Sequence, residues 1–298
     1  MDAGRDRAGH ALRPPGPGEH ASNWAAPSFS DPVRLEEVDS TNRWLADAAR
    51  GGAPQGLAVL AEHQVAGRGR RGRSWSDVPG ASVLCSALFR PGRAAAGGGP
   101  AGVGGRYPSE QLYLVAALVA LAALDSLAEV ASVEGALKWP NDVVVAGGPS
   151  GDRKLGGVLA ELVDDSPTVV VGIGLNVGAR PASGRDAAGP PTSVGLPAGA
   201  ATVSEVAGRP VERDEVARAL LEALERRAPA LESDRGRSLL AEEHRARLAT
   251  LGRPVRVVLE ADRVEGVAVG LDGDGRLVVE TADGRLRRFA AGDVVHLR

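Results

Sequence analysis

Three apolar, β-branched segments stand close together in the middle of the chain, at residues 143–146, 155–163 and 168–175. Only short connections rich in Gly, Asp, Ser and Pro separate them, at residues 147–152 and 164–167. Connections this short cannot carry a crossover helix, so the segments predict an antiparallel strand meander. A sheet needs an apolar cover on each face, and that requirement sets what the rest of the chain must supply.

Helices supply it. Ser109 is placed to cap a long helix reaching about Val130, and residues 213–227 and 234–249 carry helical periodicity. Thr202 with Glu205 makes a capping-box pattern for a short helix. Ser40 or Thr41 can cap another that ends at Gly51 and Gly52, while residues 57–62 and 82–88 predict strands. The longest apolar run, residues 112–124, is shorter than the 18 or so residues that span a bilayer and is closed by Asp125. It predicts a helix buried in a soluble fold.

The character changes from Leu251 onward. Short strands at residues 255–260, 264–271, 277–280 and 286–289 are separated by Asp-Gly turns, which predicts a small all-β barrel. At the other end, residues 1–29 are rich in Gly, Ala, Pro and Arg without apolar periodicity, and are expected to be a disordered tail. The division is therefore 1–29 tail, 30–250 main domain and 251–298 barrel. Residues 91–105 and 179–191 are expected to be surface loops.

Bulk charge narrows the partners. With a net charge of −3 and a pI near 6.0, no global positive field favours nucleic acid or an anionic membrane surface. The single cysteine, Cys85, excludes an internal disulfide framework and predicts a buried thiol. No secretory signal pattern opens the sequence, so a cytoplasmic location is expected.

The most unusual string is Gly67-Arg68-Gly69-Arg70-Arg71-Gly72-Arg73, four guanidinium groups on a glycine-punctuated backbone. Its glycines satisfy G-x-G-x-x-G, but no helix follows and no acidic residue stands about twenty positions on, so the dinucleotide reading fails. Two readings remain beside a merely solvated basic turn. One is an Arg-Gly segment for single-stranded nucleic acid. The other is a phosphate-gripping loop of an active site, with guanidinium groups suited to bidentate phosphate contacts.

Lysine usage gives a second signal. Only Lys138 and Lys154 occur, against 33 arginines. Either chance retained them or these positions require a compact ammonium that fits between a carboxylate and a phosphate, which a broad guanidinium cannot do. Lys138 opens Lys138-Trp139-Pro140-Asn141-Asp142, in which Asn141 and Asp142 can bind a cation or a ribose. Lys154 opens Lys154-Leu155-Gly156-Gly157, a strand in which glycine permits close approach. Gly172 and Gly174 fall on one face of a strand that ends at Asn176, leaving room for a ligand or for a bulky core neighbour. No P-loop, zinc-ligand cluster or Ser-His-Asp spacing stands out.

Taken together, Asp39-Ser40-Thr41-Asn42, Glu62-His63-Gln64-Val65-Ala66, the arginine-glycine loop, Lys138 to Asp142, Lys154 to Leu159 and Gly172 to Asn176 resemble the biotin protein ligase family. The resemblance covers residues 33–298. It implies an α+β fold, a mixed β-sheet flanked by helices of the class II aminoacyl-tRNA synthetase type, followed by a C-terminal SH3-like β-barrel. It places Ser40, Thr41, Asn42, Gln64, Arg68, Gly69, Arg70 and Lys138 on biotin, with Lys138 and Arg70 as the catalytic pair. Arg68, Arg70, Arg73, Trp75, Asn141, Lys154 and Asn176 are implied on the nucleotide side, with Trp75 flanking the adenine.

The implied activity is ATP-dependent formation of biotinyl-5'-AMP, followed by transfer of biotin to a lysine of a biotin carboxyl carrier domain. Mg²⁺ is expected to accompany ATP through its phosphates. Many family members also carry an N-terminal helix-turn-helix, and the short stretch before the first motif here predicts none. The competing readings are a lipoate or octanoate ligase, which would share the Lys138 chemistry but not the full loop, and a non-enzymatic RNA-binding module.

Overall fold

Seven strands form one sheet: β1 (Val33–Val38), β2 (Ala58–Gln64), β3 (Ser82–Phe89), β4 (Ala136–Lys138), β5 (Asp142–Val145), β6 (Arg153–Val163) and β7 (Thr168–Asn176). Their spatial order is β1-β2-β3-β7-β6-β5-β4, and only the β1–β2 pair is parallel. The computed structural model describes residues 28–91, 111–146, 151–164, 168–178 and 196–297. The expected meander is the β5-β6-β7 half of this mixed sheet.

Both faces are covered, so the central strands are buried throughout and still sort their side chains by pleat. Val83, Cys85, Ala87 and Phe89 of β3 join Val171, Ile173 and Leu175 of β7 under α2 (Tyr113–Ala131). Leu84 and Leu88 point the other way, with Val170, to meet Trp44, Leu45 and Ala48 of α1 (Thr41–Arg50). By length and composition α2 could cross a membrane, yet 72% of its apolar window is buried in this fold. The sheet lies on one side of it; α4 (Arg213–Arg227) packs beside it and also reaches β3, and α5 (Asp234–Ala246) packs against it as well. The Cys85 thiol is free and buried, and burial pushes its pKa up to about 12.

Between β7 and α4, α3 (Val203–Ala207) starts as its pattern predicts, with Thr202 Oγ1 accepting the Glu205 N–H at 3.1 Å. The Ser40 expectation is corrected. Ser40 occupies the N-cap position of α1, but its side chain makes no cap hydrogen bond. Gln64 Oε1, reaching over from β2, accepts the Thr41 N–H at 2.8 Å instead. Ser109 lies outside the described residues, and Leu112 occupies the N-cap position of α2.

The C-terminal region is an antiparallel sheet of β8 (Pro254–Val258), β9 (Arg263–Leu271), β10 (Leu277–Glu280), β11 (Leu286–Phe289) and β12 (Asp293–His296), in the order β11-β10-β9-β8-β12. Four of these were expected from the sequence. β12 was not, because Val294 and Val295 alone give too short an apolar signal. This small domain docks on the segment after β4: Trp139 N donates to Thr250 Oγ1 at 3.0 Å, and Trp139 Nε1 donates to Gly275 O at 3.2 Å.

The tail boundary also needs correcting at its end. Residues 1–27 lie outside the described residues, as do 92–105 and 179–191 of the expected loops. Phe29, however, is buried against Phe89 with ring centroids 5.2 Å apart. Its N–H donates to Glu225 Oε2 at 2.9 Å, so Phe29 belongs to the core and not to the tail.

Candidate active site

On the α1 face, three neighbouring strands leave a trough in the sheet. Ser86 of β3 pairs with Gly172 of β7, which pairs with Leu159 of β6, and the next row is Leu84, Gly174 and Gly157. The absent side chains are filled from above. A Cβ on Gly172 would collide with Asn42 Oδ1, and one on Gly174 would come 2.5 Å from the Trp75 ring. Alternate glycines here therefore make space for two residues that the resemblance puts on the ligands.

The N-terminus of α1 forms one end of the trough. With Gln64 Oε1 engaged by the Thr41 N–H and hydroxyl, the Gln64 amide hydrogens and the Ser40 hydroxyl are left to face a ligand. Asn42 is more committed. Its Nδ2 donates to Leu159 O at 3.1 Å and to Glu161 Oε2 at 2.8 Å, and Ser86 Oγ donates to its Oδ1 at 2.6 Å. Only a lone pair of Oδ1 remains for recognition.

The arginine-glycine loop doubles back on itself, with Gly69 N donating to Arg73 O at 2.7 Å and Trp75 N to Gly67 O at 2.9 Å. A Cβ on Gly67 would collide with Trp75 O, so this strand-like return requires glycine there. At its base His63 Nδ1 lies 3.0 Å from Asp77 Oδ2. The four guanidinium groups then diverge. Arg68 pairs with Glu161 at 3.0 Å, Arg70 Nη1 donates to Asn141 Oδ1 at 3.4 Å, Arg71 pairs with Glu260 at 3.1 Å and Arg73 with Asp293 at 2.7 Å. Burial pulls the Arg70 pKa below its usual value, the sign of a cation held away from water.

Two adjoining cavities result. The smaller, lined by Ser40, Thr41, Asn42, Gln64, Arg68 and Trp75 above Gly172 and Gly174, measures about 30 Å³, room for about one water. The larger is about 560 Å³ and carries Arg68, Arg70, Arg73, Lys138 and Lys154 against Asp142 and Asp293. Arg68, Trp75, Gly157 and Leu159 line both cavities and form their shared wall.

Every residue that the resemblance puts on biotin or on the nucleotide lines one of these cavities, with Gly69, Trp75, Asn141 and Asn176 joining the five cations around the larger; Arg71 of the loop lines neither. Lys154 pairs with Asp142 at 2.6 Å and stands 5.7 Å over the Trp75 ring. Lys138 has no ion pair among the described residues. Asn176 is buried, its Nδ2 donating to Ala201 O at 3.3 Å, and Asn141 Nδ2 donates to Val158 O at 2.8 Å. The sequence reading missed Glu161 and Asp293, carboxylates that hold loop arginines. One lay in a strand read as apolar, the other on the unforeseen β12.

A glycine-floored trough beside a cavity of five cations, under an arginine loop and against a small β-domain, defines a class of domain with a place for a small molecule next to one suited to an anion. Comparison with known proteins sharpens that class. Residues 35–177 match the Biotin/lipoate A/B protein ligase family, and residues 250–297 match the Biotin protein ligase C terminal domain. A biotin–[acetyl-CoA-carboxylase] ligase of Mycobacterium tuberculosis is 37% identical over 269 residues, 89% of this chain and 88% of that protein. The bifunctional ligase/repressor BirA of Escherichia coli is 32% identical, over 87% of this chain and 72% of that one. The structure of the biotin protein ligase from Aquifex aeolicus in complex with biotin and ATP superposes with a TM-score of 0.66 at 26% identity, over 90% of this chain and 99% of that one. The chain belongs to the biotin protein ligase family.

Proposed function

We propose that this chain is an ATP-dependent biotin protein ligase. It joins biotin to AMP with release of pyrophosphate, then passes the biotinyl group to a lysine of a carboxylase's biotin carrier domain in the cytoplasm. The observation that carries the reading is the shared wall. A molecule whose ring takes the place of the Trp75 indole over Gly174, beside Asn42, presents its far end at Arg68, where the larger, cationic cavity begins. Biotin, a bicyclic ring ending in a carboxylate, suits that path once the Trp75 indole leaves the trough.

The chemistry asks for charge screening. A biotin carboxylate oxygen attacks the α-phosphorus of ATP, the bond to the bridging oxygen breaks, and pyrophosphate carries away the electron pair. Two anions must approach first, and Lys138, Arg68 and Arg70 lower that repulsion and stabilise charge growing on the α-phosphate. The acceptor amine then attacks the acyl carbon, AMP leaves, and an amide remains.

Mg²⁺ fits here as a companion of the nucleotide. The described residues contain no group of three or more potential metal ligands, while Asp142 and Asp293 line the larger cavity. One or two carboxylates with phosphates and waters is the usual magnesium environment. There the ion would neutralise phosphate charge.

The decisive assay is exchange of labelled pyrophosphate into ATP with biotin or lipoate as the acid. Exchange should require biotin and fall steeply in Lys138→Arg, which keeps the charge but broadens it. Exchange with lipoate alone would transfer the protein to the lipoate branch. Absence of both, with salt-dependent RNA binding, would favour the nucleic-acid reading.

A further inference from the structure

Lys138 is the last residue of β4, and β4 is held from outside the sheet by the segment leading into the small domain. Leu137 N donates to Arg247 O and Ala249 N to Leu137 O, both at 2.8 Å. The next rung departs from the pattern. Trp139 N donates to the hydroxyl of Thr250, a side chain where a main-chain carbonyl would serve. Thr250 is fully buried, and its Oγ1 lies 3.3 Å from Nε2 of His296 at the end of β12. His296 Nδ1 lies 2.8 Å from Asp152 Oδ2, with both side chains about one-tenth exposed.

With a neutral His296 ring, one arrangement of protons satisfies this path. The Asp152 carboxylate only accepts, so the Nδ1 hydrogen of His296 must point at it. Nε2 of the neutral ring then accepts the Thr250 hydroxyl hydrogen, which leaves the Thr250 oxygen free to accept from Trp139 N–H. The groups facing the ring are Asp152, Arg253, Thr250 and Lys138. Burial first, and then the charge of Lys138, hold the His296 pKa below its usual value, which favours the neutral form this chain needs.

We propose that His296 is a positioning residue for the adenylation step: through Thr250 it fixes the peptide joining Lys138 to Trp139, and so sets where the Lys138 ammonium stands in the larger cavity. The proposal rests on the reading of Lys138 as the lysine that screens the reacting anions. It makes the small domain part of the active site, because His296 ends its strand β12 and Thr250 leads into β8. Protonation of His296 would convert Nε2 from acceptor to donor, turn the Thr250 hydroxyl away and place a second cation beside Lys138.

Biotin-dependent pyrophosphate exchange in the full chain tests this. Thr250→Val, nearly isosteric, and His296→Phe should each lower kcat about tenfold, the scale of a misplaced catalytic group, with the KM for biotin unchanged. Thr250→Ser restores the hydroxyl and should retain the parental kcat. The parent should lose activity on acidification, with a midpoint below that of an ordinary imidazole. His296→Gln, which keeps a donor and an acceptor but cannot titrate, should lack that limb. Thr250→Val and His296→Phe enzymes with parental kcat would overturn the proposal even if their melting temperatures fell, since the network would then be only a link between domains. So would an acid limb that persists in His296→Gln. Lys138→Arg separates the two readings: parental exchange in that variant removes the role of Lys138, whereas loss there with parental Thr250→Val removes only the role of His296.

Discussion

Arg73 Nη2 lies 2.7 Å from Asp293 Oδ1, joining the end of the arginine loop to the first residue of β12. Arg71 makes a similar pair with Glu260, just beyond β8. The small domain therefore grips the loop at two points, at Arg73 on the rim of the larger cavity and at Arg71 away from it, while Arg68 and Arg70 line the cavities.

Both pairs are solvent-exposed, so each contributes at most about 1 kcal/mol to stability. The double variant Glu260→Gln/Asp293→Asn should melt close to the parent. Its loop should open more often, and biotinyl-adenylate should dissociate roughly threefold faster, within the reach of such a loss. Adding salt should bring the parent's dissociation rate toward the variant's. Equal dissociation rates at low salt would show that the grip does not act on the intermediate.

Arg70→Gly removes the half-buried guanidinium beside Asn141. A charge-assisted hydrogen bond contributes about 1.5 to 3 kcal/mol, so the adenylate should escape on the order of ten to a hundred times faster. Free adenylate acylates any lysine, and added albumin should become biotinylated while ATP and biotin are consumed. A variant that labels only the carrier domain and holds the adenylate as tightly as the parent would remove Arg70 from the groups that retain the intermediate.

Phe29 separates tail from core. Deleting residues 1–27 should leave the melting temperature and ligase rate unchanged. Phe29→Ala, which empties the site against Phe89, should cost about 3 kcal/mol. Urea unfolding distinguishes the two, and a harmless Phe29→Ala would mean that the ring adds nothing to the core.

His244 is buried in α5 near the Tyr113 ring, with no hydrogen-bond partner for its Nδ1 among the described residues, and burial lowers its pKa to about 4. The unfolded chain binds its proton near pH 6.5 and the folded chain does not until about pH 4. Stability is therefore complete above about pH 6.5 and falls as pH drops toward 4, by about 3 kcal/mol in all. His244→Gln should flatten that part of the stability profile relative to the parent. Parallel profiles from urea titrations at several pH values would refute the assignment.

Much of the fold was legible because local signals agreed with the final packing. Residues 143–175 could form little but a meander, and Thr202 with Glu205 started a helix as that pattern does elsewhere. Where signals failed, a distant partner had replaced the local one. Ser40 has a capping residue's chemistry and position, yet Gln64, 23 residues from Thr41, supplies the acceptor and leaves the Ser40 hydroxyl for the trough. The 1–29 boundary missed Phe29 because one aromatic residue in a Gly/Ala/Pro stretch has no periodicity to announce it.

The candidate site divides along the same line. Residue type, glycine spacing and the rarity of lysine, with the resemblance they carry, pointed to side chains that line the two cavities, because chemistry at a site needs particular groups wherever the fold puts them. The tertiary structure alone decided what holds those groups in place. Glu161 for Arg68, Asp293 for Arg73, and the path from Asp152 through His296 and Thr250 to Trp139 join elements up to 220 residues apart. A carboxylate or hydroxyl in such a role looks in sequence like any surface or core residue, since its partner is defined by position in space and not by position along the chain.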